Sequence, residues 1–463
     1  MDYDVLILGG GIIGCAVAYE LSKYSLNIAL IEKDYDIADD VALINSAVVY
    51  DGLECEDTLM SKLELMGNEL MEDIASKFNV TFKKRGSLII AEDKKGEAKL
   101  INMYDRAISR GIKNIRLLDS KEVYEMEPNL NANVRRAIHS ENTGIICPYD
   151  LAIAYGEIAF DNGVKFKLEE EVLDIQKMSR GFRVVTNKNK FTCNMVLNTT
   201  PVEYYGIESE NKLNKDRCCS KYLLLEKDFR GNFKNIVVTL NESEDKIYTF
   251  PTVQGGTIVA LKTNETISYS DSLKKISSFM GKINDEYINI FYESPFYNDT
   301  LIIDDSLIDN GYVKVVGKHY SQVTITPAIA KIVCETIVNN LNCVLKKDFV
   351  DKRREFYRFR DLSNEERESI IKQDKRYGKI VCVCQKVTEG EIVDSIRRPL
   401  GARTIEGIKR RTGAAFGTCK GAQCLNKVAS ILAREMDKRL TDIVKDSKNS
   451  KIVISRIKEF DEM

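Results

Sequence analysis

Three glycines within the first fourteen residues constrain this chain more than any other feature. Gly9, Gly11 and Gly14 follow the apolar run Tyr3–Leu8 and open the segment Ile12–Tyr24, whose apolar positions recur with a helical period. A second apolar run, Asn27–Ile31, then ends at Glu32. Strand, glycine turn, helix, strand and acid in that order predict a β-α-β unit with parallel strands. Gly9 permits a tight turn, Gly11 lets backbone approach a pyrophosphate, and Gly14 allows close helix–strand packing. The helix N-terminus aims N–H groups at phosphates, while Glu32, followed by Lys33, accepts hydrogen bonds from a ribose. FAD and a nicotinamide dinucleotide both suit such a turn, and a ligand-free glycine turn is the bland alternative. No second fingerprint is visible, which favours a single bound FAD.

Cysteine spacing supplies the second constraint. Of twelve cysteines, eight are dispersed and read as small buried hydrophobes, the adjacent Cys218-Cys219 included. The other four form a pattern: Cys382-x-Cys384, then Cys419 and Cys424. Thr388-x-x-Glu391 reads as a capping box, Thr404 as a second cap, Gly413 as a helix end, and Cys424 as the start of a third helix. Thiolates on loop tips and helix N-termini, where N–H groups donate to sulfur, suit an iron-sulfur cluster. Tetrahedral zinc is the rival, although its sites usually use paired CxxC knuckles.

The remaining sequence bounds the surroundings. Lys and Arg number 68 against 70 Asp and Glu, so no basic field is available to attract nucleic acid. No stretch approaches the ~18 to 20 uninterrupted apolar residues needed to cross a bilayer. Val5–Ile13 is interrupted by glycines and reads poorly as a signal peptide, so a cytoplasmic location is expected, with peripheral docking to a membrane partner left open. Helices are expected over Glu56–Phe78, Lys94–Arg110, Ser120–Glu127, from an Asp150 cap through Phe160, over Ser272–Met280 and from near Pro327. Alternating segments between Tyr222 and Leu261 predict an antiparallel sheet. The charged stretch Lys346–Arg376 reads as a connector lying over the first body.

From Tyr377 to about Glu435 the chain resembles the bacterioferritin-associated-ferredoxin-like 2Fe-2S domain. The resemblance rests on Cys382-Val-Cys384, Thr388-Glu-Gly-Glu391, Arg398-Pro-Leu-Gly-Ala-Arg403 and Cys419–Cys424. The part before it resembles the FAD-dependent D-amino-acid-oxidase-like superfamily, especially the anaerobic glycerol-3-phosphate dehydrogenase large subunit. Its matching residues include Gly9–Gly14, Asn45-Ser46-Ala47, Gly86-Ser-Leu88, Gly144–Tyr149, Asn162-Gly-Val164 and Pro327-Ala-Ile-Ala330.

The resemblance implies an α/β protein: a Rossmann-like FAD-binding domain with an inserted mixed-sheet substrate domain, plus a small helical 2Fe-2S domain. The body spans 1–345, with FAD-binding parts about 1–80, 145–202 and 303–345 and cap parts about 81–144 and 203–302. A connector at 346–376, the 2Fe-2S domain at 377–436 and a tail at 437–463 follow. Asn45, Ser46 and the backbone at Val172 are expected to line the FAD, with Gln322 and Thr324 near its ring or ribityl chain. Cys382, Cys384, Cys419 and Cys424 are the expected cluster ligands. The implied activity is oxidation of a small-molecule substrate such as glycerol 3-phosphate or a related hydroxy or amino acid. Electrons would then pass through the cluster to a partner redox subunit or acceptor.

Departures from the family pattern shape the site expectations. Tyr50 stands where relatives carry histidine, Cys218-Cys219-Ser220 replaces an Arg-Arg-Gly segment, and Asn198-Thr199-Thr200-Pro201 ends a strand that relatives end with glycine. Losing arginines weakens phosphate recognition. Tyr50 and His319 are the candidate catalytic groups. His139, the other histidine, is expected on a surface loop. The competing reading is a catalytically lapsed electron-transfer or assembly subunit of a flavoprotein complex.

Overall fold

The protein is described by a computed structural model covering residues 1–38, 47–200, 205, 217–226, 228–243, 245–253, 255–263, 267–297 and 300–453. Two large sheets divide the body. The first runs in the order Val172–Lys177, Phe182–Thr186, Lys190–Asn198, Tyr3–Leu8, Ile28–Ile31, Lys165–Lys167. Tyr312–Lys318 pairs in parallel with the end of Lys190–Asn198, and Thr300–Asp304 lies antiparallel beside it. Helices Ile12–Leu21, Pro148–Asp161 and Gln322–Leu341 cover this sheet through one apolar cluster that includes Val5, Ile12, Ile153, Tyr155 and Ile329.

The register sets where the first sheet can act. Leu8 pairs with Ile31 on one side and Asn198 on the other. Gly9, Glu32 and Thr199 therefore emerge together at the carboxyl edge, where parallel sheets place ligands.

The second sheet contains Ile288–Tyr297, Arg217–Leu225, Thr257–Thr263, Lys246–Pro251, Ile236–Leu240, Ser87–Ala91, Arg136–Ser140 and Ile115–Asp119 in that order. Its pairs are antiparallel except where Ile236–Leu240 runs parallel to Ser87–Ala91. It is therefore a mixed sheet built from two separated stretches of sequence.

Several expected boundaries move, each for a local reason. Asp150 does not cap its helix: Cys147 occupies the cap position, Pro148 opens the helix, and the Asp150 carboxylate turns to Arg353 and Arg358. The last body helix begins at Gln322 rather than near Pro327; Pro327 lies within it. His139 is not on a surface loop but on the interior strand Arg136–Ser140, 7% exposed. Burial and the nearby Arg116 charge both lower its pKa.

The C-terminal unit packs helices Glu389–Arg397, Ile405–Thr412 and Leu425–Glu435 around Ile392, Ile408 and Leu432. Thr388 and Glu391 complete the capping box, Thr404 caps the second helix, and Gly413 ends it at φ +80°. Chain beyond residue 436 adds to this core through Ile443, whose neighbour Val444 accepts the Ile405 N–H. No helix among the described residues is long and apolar enough to cross a membrane.

Candidate functional site

The glycine turn is held as its residue types require. Gly9 sits at φ +100°, a conformation that side chains oppose. A Cβ on Gly14 would lie 2.0 Å from the Gly9 carbonyl oxygen and 2.8 Å from Thr199 Oγ1. Thr199 Oγ1 donates to Leu8 O at 2.7 Å, fastening the third strand across the turn. Glu32 Oε2 accepts the Gly10 N–H at 2.6 Å, and Oε1 accepts the Asp34 N–H at 2.9 Å. The carboxylate is thus fixed beside the turn. Lys33 is exposed on the following loop. Asn45, Ser46 and Pro201 lie outside the described residues, as do the side chains of Cys218 and Cys219. Val172 begins its strand two residues after Glu170, whose N–H bonds Glu32 O at 2.9 Å.

A second group of expected residues gathers where the Gln322–Leu341 helix meets strand Val48–Val49. Thr324 Oγ1 accepts the Tyr50 N–H at 3.0 Å and donates to Val48 O at 3.3 Å. Gly67 makes this approach feasible, since a Cβ there would sit 1.7 Å from Thr324 O. The Tyr50 and His319 rings flank Tyr320, with centroids 4.9 and 4.4 Å from it, and His319 Nδ1 shares a 2.7 Å hydrogen bond with Ser321 Oγ. Gln322 opens the helix, and its carbonyl accepts the Thr326 hydroxyl.

Around these rings lie acids that sequence reasoning missed. Glu64 is fully buried: Oε2 accepts the Gly52 N–H at 3.0 Å, while Oε1 has no hydrogen-bond partner and faces the hydroxyl-bearing Tyr320 and Ser321. Burial pushes its carboxyl up to about 8. Burial likewise lifts Glu54 to about 7 against the pull of Lys246, and raises Asp51 although Ser140 donates to it. The one available sequence clue was Glu64 beside Leu63 on the apolar face of its helix.

The four cysteines converge from loops that the three C-terminal helices frame. Cys382 and Cys424 are buried, Cys384 is exposed, and Cys419 is intermediate. Cys424 lies against Cys382, and Cys419 against Cys384. The Gln423 and Gly421 amides donate to the Cys419 sulfur and lower its pKa, whereas burial and neighbouring Cys382 push Cys424 up to about 11. A Cβ on Gly417 would fall 2.3 Å from Cys384 Cβ, so only glycine lets the two ligand loops meet. Among the described residues, no three His, Cys, Asp or Glu side chains surround a single metal position. Four thiolates converging from these loops fit a 2Fe-2S cluster, for which Cys382, Cys384, Cys419 and Cys424 would be the ligands.

Buried ion pairs dock this unit on the body. Asp36, four residues past Glu32, receives Arg411 at 2.6 and 2.7 Å. Glu157 binds Arg353 of the connector at 2.6 Å and Arg398 of the C-terminal unit at 3.1 Å. Burial alone would raise Asp150 and Glu157, but the guanidiniums of Arg353 with Arg358, and of Arg353 with Arg398, hold them below their ordinary values. The ligand loop also touches the second sheet: Lys420 Nζ donates to Ile288 O at 3.1 Å, and Asn289 Nδ2 to Phe416 O at 3.3 Å.

Comparison with known proteins agrees with this geometry. Residues 4–336 match the FAD dependent oxidoreductase family (DAO). The chain belongs to that family. Residues 380–434 match the BFD-like [2Fe-2S] binding domain. FAD and a 2Fe-2S cluster are its cofactors, which settles the choice against nicotinamide and zinc. A glycerol 3-phosphate dehydrogenase from Caloramator mitchellensis is 33% identical over 97% of this chain and 98% of its own length. A mitochondrial L-2-hydroxyglutarate dehydrogenase from Dictyostelium discoideum is 37% identical over 33% of this chain and 35% of its own. Among solved structures, FAD-bound, dithionite-reduced L-alpha-glycerophosphate oxidase from Mycoplasma pneumoniae superposes with TM-score 0.63 at 22% identity, covering 77% of this chain and 99% of that one. Glycine oxidase from Geobacillus kaustophilus gives 0.63 at 19% identity with the same coverage. At those identities the structural likeness speaks for the fold alone.

Proposed function

We propose that this DAO-family oxidoreductase dehydrogenates a small hydroxy or amino compound and delivers the electrons through its own 2Fe-2S domain to a partner acceptor. When bound, FAD supplies a two-electron hydride acceptor and the cluster a one-electron relay, a combination suited to splitting an electron pair. The observation that carries the reading is the Asp36–Arg411 pair, which fastens the cysteine-bearing unit to the loop after Glu32.

The chain's own residues divide the work. The Gly9–Gly14 turn, Glu32 and Thr199 are suited to holding the dinucleotide. Thr324 fixes Tyr50, and Ser321 orients the His319 imidazole as a candidate acid or base. Glycerol 3-phosphate is the first substrate to test, given the Caloramator relative. Burial favours the neutral, protonated form of Asp51, Glu54 and Glu64, so these carboxyls can donate hydrogen bonds to a substrate rather than repel an anionic one. Anaerobic titration with glycerol 3-phosphate, L-2-hydroxyglutarate, glycine and L-proline tests this: one of them bleaches the flavin and then the cluster.

Close packing of Tyr50 and Tyr320 beside Glu64, whose Oε1 lacks a hydrogen-bond partner, favours one competitor, a lapsed subunit that keeps both cofactors without turnover. Intact flavin and cluster that no substrate of the panel reduces would select that reading.

A further inference from the structure

The surface around the four cysteines is one-sided in charge. The chain as a whole carries a formal charge of -2, yet residues 375–388 and 413–434, which hold all four ligands, contain no aspartate or glutamate. Every ligand has a lysine within three positions: Lys379 precedes Cys382, Lys386 follows Cys384, Lys420 adjoins Cys419, and Lys427 follows Cys424. All four lysines are exposed. Only Lys379 has a carboxylate partner, Glu389 at 3.5 Å; none lies within ion-pair distance of Lys386, Lys420 or Lys427 among the described residues.

The apolar pattern singles out the same face. Cys384 is the exposed ligand, Val383 beside it is 68% exposed, and Ile380 is 49% exposed. Val383 and Ile380 together give that face a small apolar centre. Partial neutralisation of the cluster is the bland account of the lysines. A cluster on four thiolates carries about two to three negative charges. Arg376 and Arg434 are offset by Asp374 and by Glu389 with Glu435, but exposed Lys375 adds to Lys386, Lys420 and Lys427, so the face stays cationic after the cluster is offset.

We propose that this face, Val383 and Cys384 ringed by Lys379, Lys386, Lys420 and Lys427, docks a small acidic one-electron carrier protein. The inference rests on the reading that electrons leave through the cluster, and it names their recipient by charge. One electron passes from the reduced cluster to the oxidised carrier, with no atom transferred. Opposite charge steers encounter, and the small apolar centre gives brief contact without tight binding.

The test uses holoprotein purified anaerobically, with an acidic plant-type 2Fe-2S ferredoxin and basic cytochrome c as probes. Calorimetric titration of the oxidised proteins should show ferredoxin binding at about 50 mM NaCl that weakens about tenfold or more at about 500 mM. The Lys386→Glu/Lys427→Glu variant, its cluster verified by visible circular dichroism, should lose about tenfold for ferredoxin and gain affinity for cytochrome c. Salt-independent binding, equal binding of both carriers, or no ferredoxin binding overturns the proposal. Dithionite-reduced holoprotein mixed with neutral menadione separates the two levels of failure. If menadione is reduced but ferredoxin does not bind, the docking face falls alone; if the cluster reduces neither, electron delivery falls with it.

Discussion

Arg411 places both terminal guanidinium nitrogens on the Asp36 carboxylate, 2.6 and 2.7 Å away, and both side chains are almost wholly buried. Asp36 belongs to the loop whose next residues contact the glycine turn: Ala38 N–H donates to Gly10 O at 2.9 Å. One ion pair therefore links the dinucleotide turn to the cysteine-bearing unit.

Breaking that pair should loosen the 2Fe-2S unit before the body unfolds. Arg411→Met leaves buried Asp36 with only the longer Arg410 contact at 3.5 Å, a loss of about 3 kcal/mol. Hydrogen exchange should rise across 389–412 while the first sheet stays protected. Unchanged exchange in that segment would show that the pair does not secure docking.

Gly14→Ala should empty the flavin site. The new methyl would meet the Gly9 carbonyl at 2.0 Å, so the turn must open, at about 2 kcal/mol or more. FAD per chain, read after denaturation, should fall about tenfold or more with iron retained.

Much of these two sites was legible in the sequence, because their information is local. Gly9, Gly14 and Glu32 lie in one β-α-β unit, and the Thr388–Glu391 box lies within one helical turn. Asp150 shows the limit: its spacing suits a cap, but Arg353, two hundred residues away in the chain, claims its carboxylate. Glu64 was illegible for the same reason, since nothing nearby in the sequence announces that Ser321 and Tyr320 will cover it.

Glu64 should give stability a pH dependence. Its carboxyl rises from an ordinary 4.5 to about 8 on folding, so the native state keeps a proton that the unfolded chain has released. Its contribution is full below about pH 4.5 and is lost as pH climbs toward about 8. Glu64→Gln retains an acceptor for the Gly52 N–H without that loss. Its Tm should exceed the parent's by roughly 2–5 °C at about pH 8.5 and nearly match it at about pH 5. An equal difference at both values would sink the assignment.

Gly417→Ala should expel the cluster and spare the flavin. The added carbon would fall 2.3 Å from Cys384 Cβ, forcing the ligand loops apart. Iron and acid-labile sulfide should drop about tenfold while FAD content holds. Full iron with an unaltered electron paramagnetic resonance spectrum would contradict it.

The sequence by itself determined the local chemistry: a glycine turn that tolerates only glycine at φ +100°, an acid at the next strand end, and four cysteines on loops beside short capped helices. Those features depend on backbone conformation and near-neighbour spacing, which residue order encodes directly. Only the tertiary structure decided that Cys424 pairs with Cys382, that Arg411 closes on Asp36, and that Glu64 lies dry beside Tyr320. Those are contacts between distant segments, and their strength comes from exclusion of water, which exists only once the sheets and helices have packed.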